Sequence, residues 1–295
     1  MLLTIHTPAY NRAHTLTRTW ESLRKQTRKD FVWIITDDGS TDDTAGVVAR
    51  FQSRDDGFPI VYNPIPHGGI SRAMNAGAAL CRTEWLLRLD SDDWLLPDAV
   101  ARIYACLSQA EGLGGIAFGK CRPDGRWMKD KTPKIDPVKG YVDAPNTQRA
   151  AYNLDQDMSE VLRTRLLREF SHPCWPGEYF APEQLCLNDM ALAGWKIRWF
   201  PQMICVCEYL PDGQTRNDRI VKDNPMGFAM MYNQNILLAD SFRQKCRCAM
   251  QMTALAICGK HPCYLLKTNS PAATLLTLPL GMVLSLRRRR QYRRL

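Results

Sequence analysis

Trp85-Leu86-Leu87-Arg88-Leu89-Asp90-Ser91-Asp92-Asp93-Trp94 is an apolar run that ends in three carboxylates within four positions. The run reads as a short buried strand with the acids at its C-terminal end, the edge at which open α/β sheets bind ligands. Three like charges so close repel one another unless a cation holds them. Hard oxygen donors on a strand-end loop suit Mg²⁺ or Mn²⁺, usually shared with substrate phosphates. The same acids are also good helix caps, and Asp93 or Asp98 fits that plainer role before the helix that follows Pro97.

The residues upstream repeat one unit. Leu2 to Thr7 is an apolar, β-branched strand that Pro8 should stop. A helix then opens at Asn11 or His14 and runs to about Thr27, with Leu16, Trp20 and Leu23 at helical spacing. Phe31 to Thr36 is a second strand without polar alternation, as expected when both faces are covered. It ends in Asp37-Asp38-Gly39-Ser40-Thr41-Asp42-Asp43-Thr44, where Gly39 permits a tight turn and Ser40, Thr41 or Asp42 can cap a helix reaching about Ser53. A third strand lies near Pro59 to Tyr62, and Gly68-Gly69 precedes a helix over Ser71 to Cys81. Repeated β-loop-α units over about 110 residues predict a parallel sheet with helices on both faces. Its strand ends at Thr7 to Arg12, Asp37 to Thr44 and Asp90 to Asp93 should then converge on one edge.

Further along, Ile116-Ala117-Phe118 reads as a strand and Arg122 to Asn146 as a mobile loop or small insertion. Met158 to Phe170, with Val161, Leu162, Leu166 and Leu167, reads as an amphipathic helix. His172 to Glu183 is a Pro- and aromatic-rich loop, Gln184 to Ala193 a helix, and Lys196 to Cys207 contains strands. Past Asp212 the chain becomes largely helical. Phe228, Met231, Ile236 and Leu237 form one apolar set; Cys248, Met252, Leu255 and Ala256 form another.

The formal charge of +9 over 295 residues is concentrated at the end, where the last nine residues carry six arginines and leave the rest at +3. The basicity is thus mostly a tail and not a nucleic-acid-binding face; a terminal basic run can bind nucleic acid or anionic lipid or simply be solvated, and no nucleic-acid partner is expected. The eleven cysteines are scattered through apolar or helical contexts, as small buried hydrophobes of a reducing compartment. Cys258, His261 and Cys263 form the one cluster with any resemblance to a metal site, and their spacing is poor. Met1-Leu2-Leu3-Thr4-Ile5 goes straight into a strand, without a charged segment followed by an apolar stretch, so no signal peptide is expected. The charge-free segment Pro271 to Leu286 abuts the arginines; at sixteen residues, with Pro279 and Gly281 inside it, it is short for a membrane span. It suits peripheral contact with a membrane through residues 271–295, or a buried terminal helix with a solvated tail.

Thr7-Pro8-Ala9-Tyr10-Asn11-Arg12, the Asp37-to-Thr44 turn, Gly68-Gly69 with Asn75-Ala76-Gly77, and Asp90-Ser91-Asp92-Asp93 form an ordered series over residues 1–110. It closely resembles the family 2 glycosyltransferases of bacterial polysaccharide type, enzymes with the GT-A fold. The resemblance implies a Rossmann-like, mostly parallel sheet flanked by helices, over residues 1–215, with a C-terminal helical extension over 216–295. Within the first domain it implies a nucleotide-sugar half (1–110) and an acceptor half (111–215). Thr7, Pro8, Tyr10 and Asn11 would hold the nucleotide, with Arg12 near the phosphates and Asp38 accepting from the uracil ring nitrogen. Asp90, Ser91 and Asp92 would form the Asp-x-Asp element. Asp92 would bind Mn²⁺ or Mg²⁺ bridging the diphosphate, and Asp90 would contact ribose or support the metal.

Such enzymes are metal-dependent, invert the anomeric carbon and need a carboxylate base in their second half. Relatives often carry Glu-Asp at the start of a helix there. This chain has Glu183-Gln184, so Glu183 is the expected base, with Glu178 and Asp189 as alternatives. Glu208-Tyr209-Leu210-Pro211-Asp212-Gly213 resembles a later element near the diphosphate or acceptor, although a plain loop serves equally. The function implied is transfer of a sugar, from a UDP-sugar, to a hydroxyl of a lipid-linked glycan at the cytoplasmic face of a membrane. A catalytically degenerate nucleotide-binding module is the alternative. A nucleotidyltransferase of similar fold would need glycines after the first strand, where Thr7-Pro8-Ala9-Tyr10-Asn11 has none.

Overall fold

The computed structural model describes residues 1–129, 131–208 and 219–293. The chain divides into two compact units: Met1–Ser171 with Cys186–Leu210, and His172–Leu185 with Pro211–Leu295.

The first unit holds β1 (Leu3–Ala9), β2 (Phe31–Asp37), β3 (Ile60–Pro64), β4 (Trp85–Arg88), β5 (Trp94–Leu95), β6 (Gly115–Cys121), β7 (Val142–Ala144), β8 (Met158–Arg163) and β9 (Ile197–Val206). They form one sheet in the order β3-β2-β1-β4-β8-β6-β9-β5, with β7 also paired to β9. β3, β2, β1 and β4 are all parallel. Helices α1 (Leu16–Arg24), α2 (Thr44–Gln52) and α4 (Ala99–Leu107) pack on one face, where Trp20, Leu23, Val48 and Ile103 meet Ile5, Trp33 and Leu87. On the other face α3 (Ile70–Leu80), α5 (Thr164–Glu169) and α6 (Gln184–Leu192) bring Ala78, Leu166 and Cys186 onto Ile34, Leu86 and Trp199. Successive residues of β2 and β4 therefore enter different cores, the reason their sequences are apolar without alternation.

Three expectations need correction. Pro8 does not stop β1, which continues to Ala9 with Pro8 opposite Thr36. β4 ends opposite His6, so at Pro8 the strand has a neighbour on one side only and a missing N–H is tolerated. Met158 to Phe170 is not one helix: Met158–Arg163 is β8, antiparallel to both β4 and β6, and only Thr164–Glu169 is helical. A strand covered on both faces and a helix segment look alike over six apolar-rich residues, and pairing on both edges decided for the strand. The segment Arg122 to Asn146 is not all loop, since it contributes β7 to the sheet.

The caps also differ. α1 begins at Leu16 rather than near Asn11 or His14. Asp43, not Ser40, Thr41 or Asp42, occupies the cap position of α2, although the Asp42 carboxylate takes the Thr44 N–H at 3.0 Å. Asp98 precedes α4 without capping it and pairs with Arg102 instead.

The second unit is helical: α7 (Ile220–Asp223), α8 (Pro225–Leu238), α9 (Phe242–Cys258) and α10 (Pro271–Tyr292). Its core is Met226, Ala229, Ile236, Met252, Leu255 and Ala256. Ser241 and Gln244 form a reciprocal capping box at the start of α9. Leu237 is exposed and does not join the apolar set expected of it. α10 runs unbroken through Pro279 and Gly281. Among the described residues no helix is long and apolar enough to cross a membrane.

Candidate active site

The C-terminal ends of β1, β2 and β4 share one edge of the sheet, and backbone chemistry stitches the first two together. Asn11 adopts a left-handed backbone (φ 52°), a conformation Asn tolerates better than most residues. Its side-chain oxygen accepts the Thr41 N–H at 2.7 Å and the Asp42 N–H at 3.3 Å, and its own N–H donates to the Ser40 hydroxyl at 2.8 Å. The Arg12 N–H donates to the Thr44 hydroxyl at 3.0 Å, and the Asp38 N–H to the Ala9 carbonyl at 2.8 Å. Thr7 is fully buried, with its hydroxyl accepting from the Trp33 indole at 3.0 Å. Asn11 and Thr7 thus shape the site through the scaffold.

Asp37 and Asp38 are both buried. Asp37 accepts from the Ser40 N–H at 2.9 Å and the Tyr62 hydroxyl at 2.5 Å. Asp38 grips the turn after β3: one oxygen takes the Gly68 N–H, the other takes the Gly69 N–H, and the His67 imidazole lies against the second oxygen, all at 2.8 Å. The His67 ring stacks on Tyr10 with centroids 4.2 Å apart. Gly39, at φ 73°, sits where a Cβ would be 2.8 Å from the His67 nitrogen, so only glycine lets the two turns meet. Gly77 does the same for α3, since a Cβ there would lie 2.1 Å from the His6 ring.

The acidic turn is held from beneath. The Thr19 hydroxyl on α1 donates to the carbonyls of Ser91 and Asp93, at 3.2 and 2.8 Å. Arg18 donates to the Asp92 carbonyl at 2.6 Å, stacks 4.1 Å over Trp94 and pairs with Glu208 at 2.8 Å. Ser91 is buried within the turn. The remaining Tyr209 to Gly213 of that later element lie outside the described residues.

The three aspartates separate by charge environment. Asp90 meets Arg88 at 2.7 Å and Lys120 at 3.4 Å. Burial works against its ionisation, but these two cations hold its carboxyl down at about 2. Asp93 is paired to the buried Lys120 ammonium at 2.7 Å. Burial pushes Lys120 towards losing its proton, yet Asp93 and Asp90 raise its pKa well above the ordinary lysine value. Burial raises the pKa of Asp93 even so, with Lys120 opposing. Asp92 lacks an ion pair of this kind among the described residues: burial first, then repulsion from Asp90 and Asp93, raises its pKa, with Arg12 opposing. Its charge is therefore the least compensated of the three, the condition under which an added cation is most stabilising. Among the described residues no group of three or more His, Cys, Asp or Glu side chains is arranged to hold a metal by itself, Cys258, His261 and Cys263 included. A single carboxylate suits an ion such as Mg²⁺ or Mn²⁺, whose other ligands are phosphate oxygens and water.

Lys120 and Arg88 escaped the sequence reading. Arg88 carried a signal, being two residues before Asp90 on a strand; Lys120 carried none, because β6 reaches the site only through the tertiary order of strands. His67 was hidden beside the more conspicuous Gly68-Gly69.

Glu183 is exposed, immediately before α6, and belongs to the second unit, as does Glu178. The Glu178 carboxylate takes the Met226 and Gly227 N–H groups, each at 2.7 Å, at the start of α8. Asp189 is exposed on α6.

The sheet edge so described matches known proteins in sequence and in fold. The family model for glycosyl transferase family 2 matches residues 4–163. Chondroitin synthase of Pasteurella multocida is 38% identical over 99 residues, 34% of this chain and 10% of that protein. The GalNAc(5)-diNAcBac-PP-undecaprenol beta-1,3-glucosyltransferase of Campylobacter jejuni is 32% identical over 119 residues, 40% of this chain and 38% of its own. The chain thus spans only a small part of the synthases it resembles. S. aureus TarS 1–349 in complex with UDP-GlcNAc superposes with a TM-score of 0.65 at 16% identity, covering 97% of this chain and 82% of that TarS fragment. The Pyrobaculum calidifontis mannosyltransferase PcManGT, in complex with GDP-Man and Mn²⁺, gives 0.59 at 16% identity, over 96% and 80% of the two chains. These likenesses establish the GT-A fold, and with the family model matching more than half of its length, the chain belongs to glycosyl transferase family 2.

Proposed function

We propose that this chain is a metal-dependent, inverting glycosyltransferase of the hexosyltransferase type. It moves a sugar from a UDP-sugar to a hydroxyl of a lipid-linked glycan, in bacterial surface polysaccharide synthesis at the inner face of the cell membrane. The observation that carries this reading is the charge pattern of the acidic turn, where Asp90 and Asp93 are matched by Arg88 and Lys120 while Asp92 is left for a cation. Undecaprenol-linked glycan in the name of the Campylobacter relative and UDP-GlcNAc in the TarS complex support the acceptor and donor classes. The Mn²⁺ of the PcManGT complex supports the metal.

In this reading Asp92 ligates Mn²⁺ or Mg²⁺, with Asp90 next to it on the nucleotide side. The ion, when bound, neutralises charge developing on the departing diphosphate. Thr7, Pro8, Tyr10, Asn11 and Ser91 shape the nucleotide pocket, and Arg12 faces the phosphates. Asp38 is the nucleobase acceptor; its carboxylate already takes the Gly68 and Gly69 N–H groups and touches His67, so a uracil N–H would replace the imidazole. Glu183 is the base that takes the acceptor proton. Glu178 is less suited, since two backbone N–H groups occupy its oxygens.

A screen of nucleotide sugars with Mn²⁺, read by release of free nucleotide, tests the reading. Turnover with a UDP-sugar that disappears in Asp92→Ala and in Glu183→Gln is the expected result. Metal-independent turnover untouched by Asp92→Ala refutes the mechanism. The degenerate-module alternative, favoured by Gln184 in place of a second acid, predicts UDP binding without any turnover.

A further inference from the structure

α10 is polar on the wrong side for a helix surrounded by water. Its buried positions, Ala273, Thr274, Thr277, Gly281 and Ser285, are small or carry hydroxyls. Its exposed positions include Leu275, Leu276, Leu280, Met282, Val283 and Leu286, each between 50 and 71% exposed. The small face lets the helix approach α9 closely: a Cβ on Gly281 would lie 2.6 Å from Thr253 Cγ2. The inward hydroxyls are satisfied inside the helix, Thr277 donating to the Ala273 carbonyl at 2.8 Å and Ser285 to the Met282 carbonyl at 2.7 Å. Small residues inside and large apolar residues outside are what a helix shows when its outer solvent is hydrocarbon.

Charge says which apolar phase this is. At about 100° per residue the exposed apolar positions fall on one arc, and Arg290 and Arg293 continue that arc past Leu286. From Pro225 to the end, Asp240 is the one acid, against Arg243, Lys245, Arg247, Lys260, Lys267 and the six arginines of the tail. A proteinaceous groove would need acids to meet this surface; a bilayer with anionic headgroups supplies them over its whole area. The uncharged stretch from Pro271 to Leu286 is about 24 Å long at 1.5 Å per residue, less than the ~30 Å hydrocarbon core.

We infer that α10 lies along an anionic lipid surface, its Leu275–Leu286 arc sunk below the headgroups and its arginines level with them. This deepens the membrane contact of the proposed function and does not depend on the donor chemistry. The C-terminal unit is then the monotopic seat of the protein, which would let it reach a glycan acceptor that cannot leave the bilayer.

Flotation of the full chain with phosphatidylcholine vesicles, with and without phosphatidylglycerol, tests the inference. The wild type is expected to float with the anionic vesicles at least tenfold better than with neutral ones. Leu276→Glu/Val283→Glu should abolish flotation with both. Arg287→Gln/Arg290→Gln/Arg293→Gln should erase the preference for the anionic lipid. All these positions are exposed, and circular dichroism checks that the variants fold. A wild type that floats with neither vesicle overturns the inference. So does a concentration-dependent dimer that the Leu276/Val283 variant dissolves, since the arc would then be a subunit interface. Release of nucleotide from soluble donor is measured in parallel: its loss in the wild type counts against the transferase reading, and its retention in the variants isolates the lipid contact.

Discussion

Lys120→Met places the sharpest demand on the site as described. The ammonium is 10% exposed and bonds Asp93, itself 2% exposed, at 2.7 Å, with Asp90 at 3.4 Å. Removing one partner of a buried ion pair leaves the other desolvated and unmatched, at a cost of about 3–5 kcal/mol. That is a large share of the roughly 5–15 kcal/mol by which a domain is stable. Neutralising the orphan should reverse much of the loss, so Lys120→Met/Asp93→Asn should be about 2 kcal/mol more stable than Lys120→Met alone, within the usual range of coupling between touching residues. Urea denaturation followed by tryptophan fluorescence measures both changes. A second readout concerns the metal: freeing Asp90 and Asp93 beside Asp92 should tighten Mn²⁺ binding in the absence of nucleotide, seen by paramagnetic resonance, and Asp93→Asn should undo it. If Lys120→Met costs less than about 1 kcal/mol, or the double variant is no better than the single, Lys120 does not hold the acidic turn.

Acid should unlock the same cluster. Asp90 is depressed to about 2, so its contribution is complete above the unfolded carboxylate value and is lost as pH falls from about 4 towards 2. The slope of stability against pH over that window should be shallower in Asp90→Asn, by roughly 2 kcal/mol across the range. Gly77→Ala would press a Cβ to 2.1 Å from the buried His6 ring, forcing α3 off the sheet; a loss of about 1–3 kcal/mol by thermal melting is expected, and a neutral result would show that the helix can slide freely. At Asn11, φ 52° separates strain from hydrogen bonding: Asn11→Gly loses the Thr41 and Asp42 contacts alone, whereas Asn11→Ala also adds roughly 1 kcal/mol of backbone strain, so alanine should melt lower than glycine.

Much of the first unit was readable because its strands are short, buried on both faces and punctuated by glycine, proline and aspartate. β2 and β4 could be placed within a residue or two, and the convergence of three strand ends followed from parallel order alone. β8 could not: Val161, Leu162, Leu166 and Leu167 fit a helix as well as a strand, and only the vacant edges of β4 and β6 decide between them. The capping residues were misjudged for a related reason. Asp98, Asp42 and Asp93 each found partners made available by distant segments or by side chains of the neighbouring helix turn.

The amino-acid order by itself determined the motif series, the parallel half of the sheet, the charge concentrated in the tail and the apolar stretch beside it, because each is a property of local spacing. Tertiary structure alone decided which acid is left without a close ion pair among the described residues. Asp90, Asp92 and Asp93 are nearly equivalent as letters; they became different when β4 set Arg88 beside the first and β6, across the intervening β8, carried Lys120 to the third. The outward turn of the leucines on α10 was decided in the same way. Composition places them next to the arginines, but only packing against α9 through Gly281 and its small neighbours determines that they face away from the protein. Local spacing fixes what a segment can do, and long-range contacts, whose energies depend on partners distant in sequence, select which of its side chains are left to do it.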